Sequence, residues 1–328
     1  MSPAGIADRG SGIADRGSRI RACGRALLSA LLIGCGSQGT NGGTTNGQSS
    51  SSTPPFSADS AYAYLRKQAS FGPRVTGMPG HAAQLAWMKE FLRARADTVI
   101  VQEFTHTHTQ TGKKLPMTNL FARFNPGADT RILLLAHWDT RPTADQEFDS
   151  ALSKEPIIGA NDGASGVAVL LELANVLKNH SAPIGVDLLF VDGEDYGPDG
   201  SDMYLGATHF ASNLMGYKPM YGILLDMIGD QNPVFKIEGN SQELAPEVVD
   251  RVWRTAERIG LAEFFPKTSQ GSVTDDHLPL NRAGIRTIDI IDFDYPHWHT
   301  TKDVVENTSP RGLDAVGRVL TELIYKGG

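Results

Sequence analysis

Five side chains spread along the chain could act together: His137, Asp162, Asp195, Asp226 and His299. Imidazole nitrogens and carboxylate oxygens are the hard-to-borderline donors that suit zinc in a catalytic centre. Taken singly, each has an ordinary reading. Asp162 would make a good cap for the helix that follows it, and a lone histidine at a strand end is commonly a hydrogen-bonded edge residue. The stretch from Ile158 to Asp195 concentrates the question. Its apolar run Val186–Val191 leads into Glu194 and Asp195. Two adjacent carboxylates at the tip of a buried strand are costly unless positive charge meets them. Pattern alone leaves a metal site and a set of unrelated caps both open.

The elements that must position these groups follow from periodicity. Helical spacing predicts helices over Ala58–Gln68, His81–Ala94, Ala164–Lys178, Leu205–Leu214, Ser241–Ile259 and Pro310–Tyr325. Apolar runs predict strands at Thr98–Phe104, Asn119–Phe124, Arg131–Ala136, Val186–Val191, Tyr221–Met227, Val234–Glu238 and Thr287–Ile291. Arg131–Ala136 is almost continuously apolar, as a strand covered on both faces should be. Alternation of these elements implies an α/β fold, a three-layer α/β/α sandwich with a mixed, mostly parallel central sheet. Ligands of such sheets bind at the carboxyl ends of the strands. His137, Asp139, Glu194, Asp195 and Asp226 all fall there. His106 and His108 alternate with threonine in a polar stretch, which reads as an exposed edge or hairpin before it reads as a metal site.

Two cysteines, Cys23 and Cys35, are the only ones in 328 residues, so the region from 58 onward has no disulfide and no thiol chemistry. The net charge of -7 argues against nucleic acid as a partner. Residues 1–35 read as a lipoprotein-type signal peptide. An arginine-rich start, carrying GIADRGS twice at Gly5–Ser11 and Gly12–Ser18, precedes a short apolar run at Ala26–Ile33. Leu32-Ile33-Gly34-Cys35 has the form of a lipobox, with Cys35 as the lipid anchor and sole membrane attachment. A bacterial protein exported to the periplasm or anchored in the outer membrane is expected. Residues 36–57, rich in Gly, Ser, Thr and Asn, read as a structureless tether, and residues 58–328 as one catalytic domain.

Six motifs occur in order: HWDT at His137–Thr140, GANDGASG at Gly159–Gly166, DGED at Asp192–Asp195, LLDMIG at Leu224–Gly229, DDHLPLNRAGI at Asp275–Ile285 and HWHTTKD at His297–Asp303. Together they resemble the zinc aminopeptidase superfamily of bacterial leucyl aminopeptidases, from about Ala58 to the C-terminus. Within it the chain is most similar to the glutaminyl cyclases, which convert N-terminal Gln to pyroglutamate. HWDTRPTADQ, LLDMIGDQNP, the doubled acid of Asp275-Asp276 and Trp298 before His299 carry that likeness.

The resemblance implies peptide or protein N-termini as substrate. It implies one zinc held by Asp162, Asp195 and His299, with Glu194 as general acid/base. Asp226 and Asp275 would form its supporting carboxylates, and Trp298 an apolar wall for the substrate. In the aminopeptidases the same positions hold two zincs, Asp162 bridging and His137 with Asp226 taking the second. Every ligand of that second site is present here too. If Asp275 lies against Asp226, the pair should share a proton, which would make Asp226 a poorer ligand. Asp275 could instead pair at the surface with Arg282 or Arg286. Asp139 is expected to orient His137 or another ligand, and Asp289, where animal cyclases tend to have His, to be a further acid. Asp195 stands where many relatives carry the longer Glu. Cys35→Ser should move the protein from the membrane pellet to the soluble fraction on cell fractionation; a variant that stays in the pellet removes the anchor.

Overall fold

The structure, a computed structural model, describes residues 53–327. The expected signal peptide with Cys35, and residues 36–52 of the expected tether, lie outside the described residues. In chain order the elements are α1 (Ala58–Ala69), α2 (Pro79–Arg93), β1 (Thr98–Thr107), β2 (Lys114–Phe124), β3 (Arg131–His137), α3 (Ala164–Asn179), β4 (Gly185–Val191), α4 (Leu205–Ser212), β5 (Gly222–Asp226), α5 (Gly239–Leu244), α6 (Pro246–Arg258), α7 (His277–Arg282), β6 (Thr287–Ile291) and α8 (Pro310–Lys326).

The strands form one six-stranded sheet in the order β1-β2-β4-β3-β5-β6. β4, β3, β5 and β6 run parallel, while β2 is antiparallel to both β1 and β4. The mixed, mostly parallel sandwich is therefore present. β3, β4, β5 and β6 are buried at every residue. Along β3, Ile132, Leu134 and Ala136 point into one core and Leu133 and Leu135 into the other. The first core is closed by α1, α2, α3, α6 and α8, the second by α4 and α7. At about 1.5–3 kcal/mol for each fully buried aliphatic side chain, this two-sided burial fixes the register of the strands. It also fixes where their polar tips emerge. Gly166 lets α3 lie directly on the sheet: a Cβ there would stand 2.2 Å from the carbonyl oxygen of Leu225.

Four expectations change. Residues 53–57 belong to the domain rather than the tether: Thr53 bonds to Glu322, Phe56 covers Gly317, and Ser57 caps α1 by accepting from the Ser60 N–H at 3.2 Å. The helix expected over Ser241–Ile259 is two helices, because Pro246 has no N–H to continue the first and instead opens the second. Val234–Glu238 is not a strand of the sheet. Its Phe235 and Ile237 N–H groups donate to Phe264 and Thr268 at 2.8 Å, so it pairs with a neighbouring loop. α7 forms where no helix was expected; its six residues are too few for periodicity to show. The THTHT stretch is, as read, an outer hairpin strand. His106 bonds through Nε2 to Asp202 Oδ1 at 2.6 Å.

Candidate active site and metal centre

The carboxyl ends of the four parallel strands converge on one edge of the sheet, and the motif residues meet there. His137 ends β3, Glu194 and Asp195 follow β4, Asp226 ends β5, and Asp162 lies just before α3. His299 sits in the loop after β6 with φ of 52°, a left-handed conformation that costs a non-glycine residue about 1 kcal/mol or more and aims its ring at the cluster.

Buried polar groups hold these tips in place. Asp303 accepts from the N–H groups of Asn161 and Asp162 at 2.8 and 3.1 Å and from the Tyr295 hydroxyl at 3.0 Å. Arg74, fully buried, donates to the carbonyls of Trp138 and Gly159 at 3.2 and 2.7 Å, and also to that of Ile158. Asp139 accepts from the Glu194 and Asp195 N–H groups at 3.2 Å each, while His137 Nδ1 stands 3.6 Å from it. Asp139 thus positions the tip of β4 rather than the His137 ring. Gly163 leaves room for that ring: a Cβ would lie 2.4 Å from His137 Nε2.

Two donor trios share Asp162. In one, His299 Nε2 lies 3.3 Å from Asp195 Oδ1 and 3.6 Å from Asp162 Oδ2. A tetrahedral zinc with bonds of about 2.0–2.1 Å would set its ligand atoms roughly 3.3 Å apart. Asp195 Oδ2 is buried and has no hydrogen-bond partner among the described residues, which is costly for a carboxylate and suits it to a cation. Donor type, spacing and this orphaned oxygen all fit zinc. In the second trio His137 Nε2 lies 3.1 Å from Asp162 Oδ1 and 3.2 Å from Asp226 Oδ1, and a hydrogen bond to Asp226 already satisfies it.

Two residues that the sequence reading did not single out brace the first trio from behind. His299 Nδ1–H donates to Asp145 Oδ1 at 3.1 Å, which leaves Nε2 free as a ligand. Arg141 donates from Nε and Nη2 to Asp145 Oδ2 at 2.9 and 2.6 Å and from Nη1 to Asp195 Oδ1 at 2.7 Å. One guanidinium therefore ties Asp195 to the carboxylate that orients His299. The i,i+4 opposite charges within HWDTRPTADQ were the available signal, but they read equally well as a surface pair.

Beside the trios lies a group of acids with little compensation. Glu194, Asp275, Asp276 and Asp289 are all buried. Burial, and then the charge of Asp195, pushes Glu194 well above the usual carboxylate range. Burial followed by Asp226 does the same to Asp275. Burial also raises Asp289, with Asp275 and Asp226 adding to it, and lifts Asp276 to about 8 against the pull of His137. Asp275 is thus an interior acid close to Asp226. The surface pairing is absent, since Arg286 pairs with Glu247 and Arg282 is exposed. His299 goes the other way: burial alone would lower it, but Asp195 and Asp145 carry it up to about 10. Glu194, Asp226, Asp275 and the first trio line a pocket of about 330 Å³. Trp298 forms one wall, stacked on His299 at 4.1 Å and tilted against Phe293 at 5.2 Å. His209 stacks on Phe104 at 4.4 Å and His297 meets Tyr295 edge-on, so neither joins the trios.

The sequence pattern of peptidase family M28 matches residues 119–324. A glutaminyl-peptide cyclotransferase-like protein of Bos taurus is 27% identical over 277 residues, covering 75% of this chain and 70% of that protein. Among solved structures, glutaminyl cyclase of Bacteroides thetaiotaomicron bound to N-acetylhistamine is 39% identical with a TM-score of 0.81, covering 84% of this chain and all (100%) of that one. A Zn-dependent exopeptidase from Parabacteroides distasonis is 37% identical with a TM-score of 0.81, over 84% of this chain and 99% of that one.

Asp145→Asn should weaken zinc binding by about 10–100-fold, the usual loss for an outer carboxylate on a ligand histidine. Competition with a chromophoric chelator measures it, with circular dichroism as the check on folding; an unchanged affinity would remove Asp145 from the site. Zinc affinity should also climb with pH through neutrality. With a pKa of about 10 the metal-free His299 is protonated at pH 7, and binding must expel that proton. The same competition run from acid to alkaline pH reads the slope, and a flat profile contradicts it.

Proposed function

The chain belongs to peptidase family M28, and we propose that its reaction is that of a glutaminyl-peptide cyclotransferase: closure of an N-terminal Gln to pyroglutamate with release of ammonia. It is a zinc-dependent enzyme, and peptide or protein N-termini are its substrates. The observation that carries this reading over hydrolysis is Asp275, buried beside Asp226 with its pKa raised by burial and by that neighbour. That neutral-favouring acid behind Asp226, together with the His137–Asp226 hydrogen bond, weighs against a metal on the second trio. Asp162, Asp195 and His299 remain as the open ligand set, for one zinc. Two zincs, with His137 and Asp226 as the added ligands, would serve the aminopeptidase alternative.

Asp162, Asp195 and His299 would hold the zinc, which would supply Lewis acidity for activating an amide carbonyl. The chain's own residues do the rest. The α-amine of the substrate Gln attacks its own side-chain carbonyl carbon, and the bond to the amide nitrogen breaks. Glu194, as the carboxylate, takes a proton from the attacking amine; in the protonated form that its burial favours it then delivers that proton to the departing ammonia. Asp275 and Asp289, both pushed toward their neutral form by burial, stand with Asp226 as the supporting carboxylates and keep a proton near Glu194. Trp298 packs against the methylenes of the substrate side chain. Nucleophile and target belong to one residue, so fixing a single rotamer supplies much of the rate. The leader supports an exported enzyme held in a bacterial envelope through Cys35.

Mass spectrometry on the zinc-loaded domain, with one peptide beginning in Gln and one in Leu, tests the reaction. The Gln peptide should lose ammonia and the Leu peptide stay intact, with one tightly bound zinc per chain by metal analysis. Release of Leu with two bound zincs would make the chain an aminopeptidase. Glu194→Gln should keep the zinc and the fold and lower kcat by about 10²–10⁴-fold, the usual share of a general acid/base.

A further inference from the structure

A peptide whose N-terminal Gln enters the pocket beside Glu194 and the first trio must leave its remaining residues outside. A second groove of about 380 Å³ adjoins that pocket and shares Gln146 and Trp298 with it as walls. Phe148, Tyr295 and Pro296 line it besides Trp298, with His297 among its polar residues. Phe148 is fully exposed, at 106% of its reference area. A single exposed apolar residue on a loose loop would mean nothing, but this backbone is pinned just before the ring and again at the base of the loop. Gln146 N–H donates to the carbonyl of His299 at 3.2 Å. Glu147 Oε1 accepts from the Thr301 N–H at 3.0 Å and from its hydroxyl at 2.5 Å. Ala144 N–H donates to the carbonyl of Glu155 at 2.8 Å, closing the base of the loop. The ring is therefore presented to water on a fixed support, beside the exit of the catalytic pocket.

We propose that this groove is the subsite for the substrate's second and third residues, and that Phe148 makes it selective for a large apolar side chain after the N-terminal Gln. The inference rests on the cyclase reading and deepens it. Its occupant is the substrate chain itself, because the groove is continuous with the pocket through Gln146 and Trp298. A large apolar second residue would cover the Phe148 ring and bury surface that both partners otherwise expose. A glycine there would cover nothing.

The test compares kcat/KM for the peptides Gln-Phe-Ala and Gln-Gly-Ala on the zinc-loaded wild-type chain and on Phe148→Ser and Phe148→Leu. The wild-type chain should favour Gln-Phe-Ala by about tenfold, the scale of an apolar contact in a partly open site. Phe148→Ser should bring the ratio close to one, the loss falling on the phenylalanine peptide through KM, and Phe148→Leu should keep most of the preference. A wild-type ratio near one, or a ratio that survives Phe148→Ser, overturns the subsite while leaving the cyclase reading intact. Failure of the wild-type chain to cyclise either peptide overturns both.

Discussion

The site depends on burying negative charge at the ends of apolar strands. Asp162, Asp195, Asp226, Glu194, Asp275, Asp276 and Asp289 lie within one edge of the sheet, and all are buried. Isolated carboxylates cannot stay ionised there; they must be paired, be protonated or hold a metal. The cluster uses all three. Arg141 pairs with Asp195, the acids around Asp275 are driven to their neutral form, and the trio of Asp162, Asp195 and His299 keeps donor spacing that a cation would complete. Much of the surrounding structure can be understood as support for this arrangement. The sheet brings the tips together, while Arg74 and Asp303 fix the loops by backbone hydrogen bonds that no side-chain substitution elsewhere could replace.

The two trios share Asp162 but differ in what lies behind them. Behind His299 stands a carboxylate held by a guanidinium, and the same guanidinium reaches Asp195. Arg141 and Asp145 are opposite charges that neutralise one another, so Asp162 and Asp195 present two negative charges to a divalent ion. Behind Asp226 stand more acids, whose repulsion is relieved by protons. On our reading, metal is favoured on one side and proton storage on the other, although the donor types on the two sides are alike.

Much of this was legible in the residues themselves. β3, β4, β5 and β6 read as strands because two-sided burial demands unbroken apolar runs, and a tip rich in acids breaks such a run abruptly. His137, Asp195 and Asp226 could be picked out by donor type and by their place at those tips, Asp162 and His299 by donor type and by the motifs that carry the resemblance. Arg141 and Asp145 could not, because their partners are 54 and 154 residues away and the bond between them looks like any helical-spacing ion pair. Asp303 was hidden for a related reason. Its partners are backbone N–H groups, which leave no mark in the sequence. The misread segments were local. Pro246 overrode an apolar period that ran through it, and Val234–Glu238 had strand composition but found a loop for a partner.

Asp195 shows how the pieces fit. As a proposed ligand, Asp195 is one methylene shorter than the Glu that the family resemblance leads us to expect there, and so reaches less far from its strand. Here the carboxylate is not left to find its own position. Arg141 holds Oδ1 at 2.7 Å, and the backbone N–H of the same residue is held by Asp139 at 3.2 Å. Both ends of Asp195 are fixed, and Oδ2 is the oxygen left without a partner. On our reading, its neighbours rather than its own length place this carboxylate, and Arg141 would matter to a bound zinc without touching it. The same guanidinium sets the rotamer of His299 through Asp145, so two of the three ligands in the open trio share one support, anchored in the loop that follows β3.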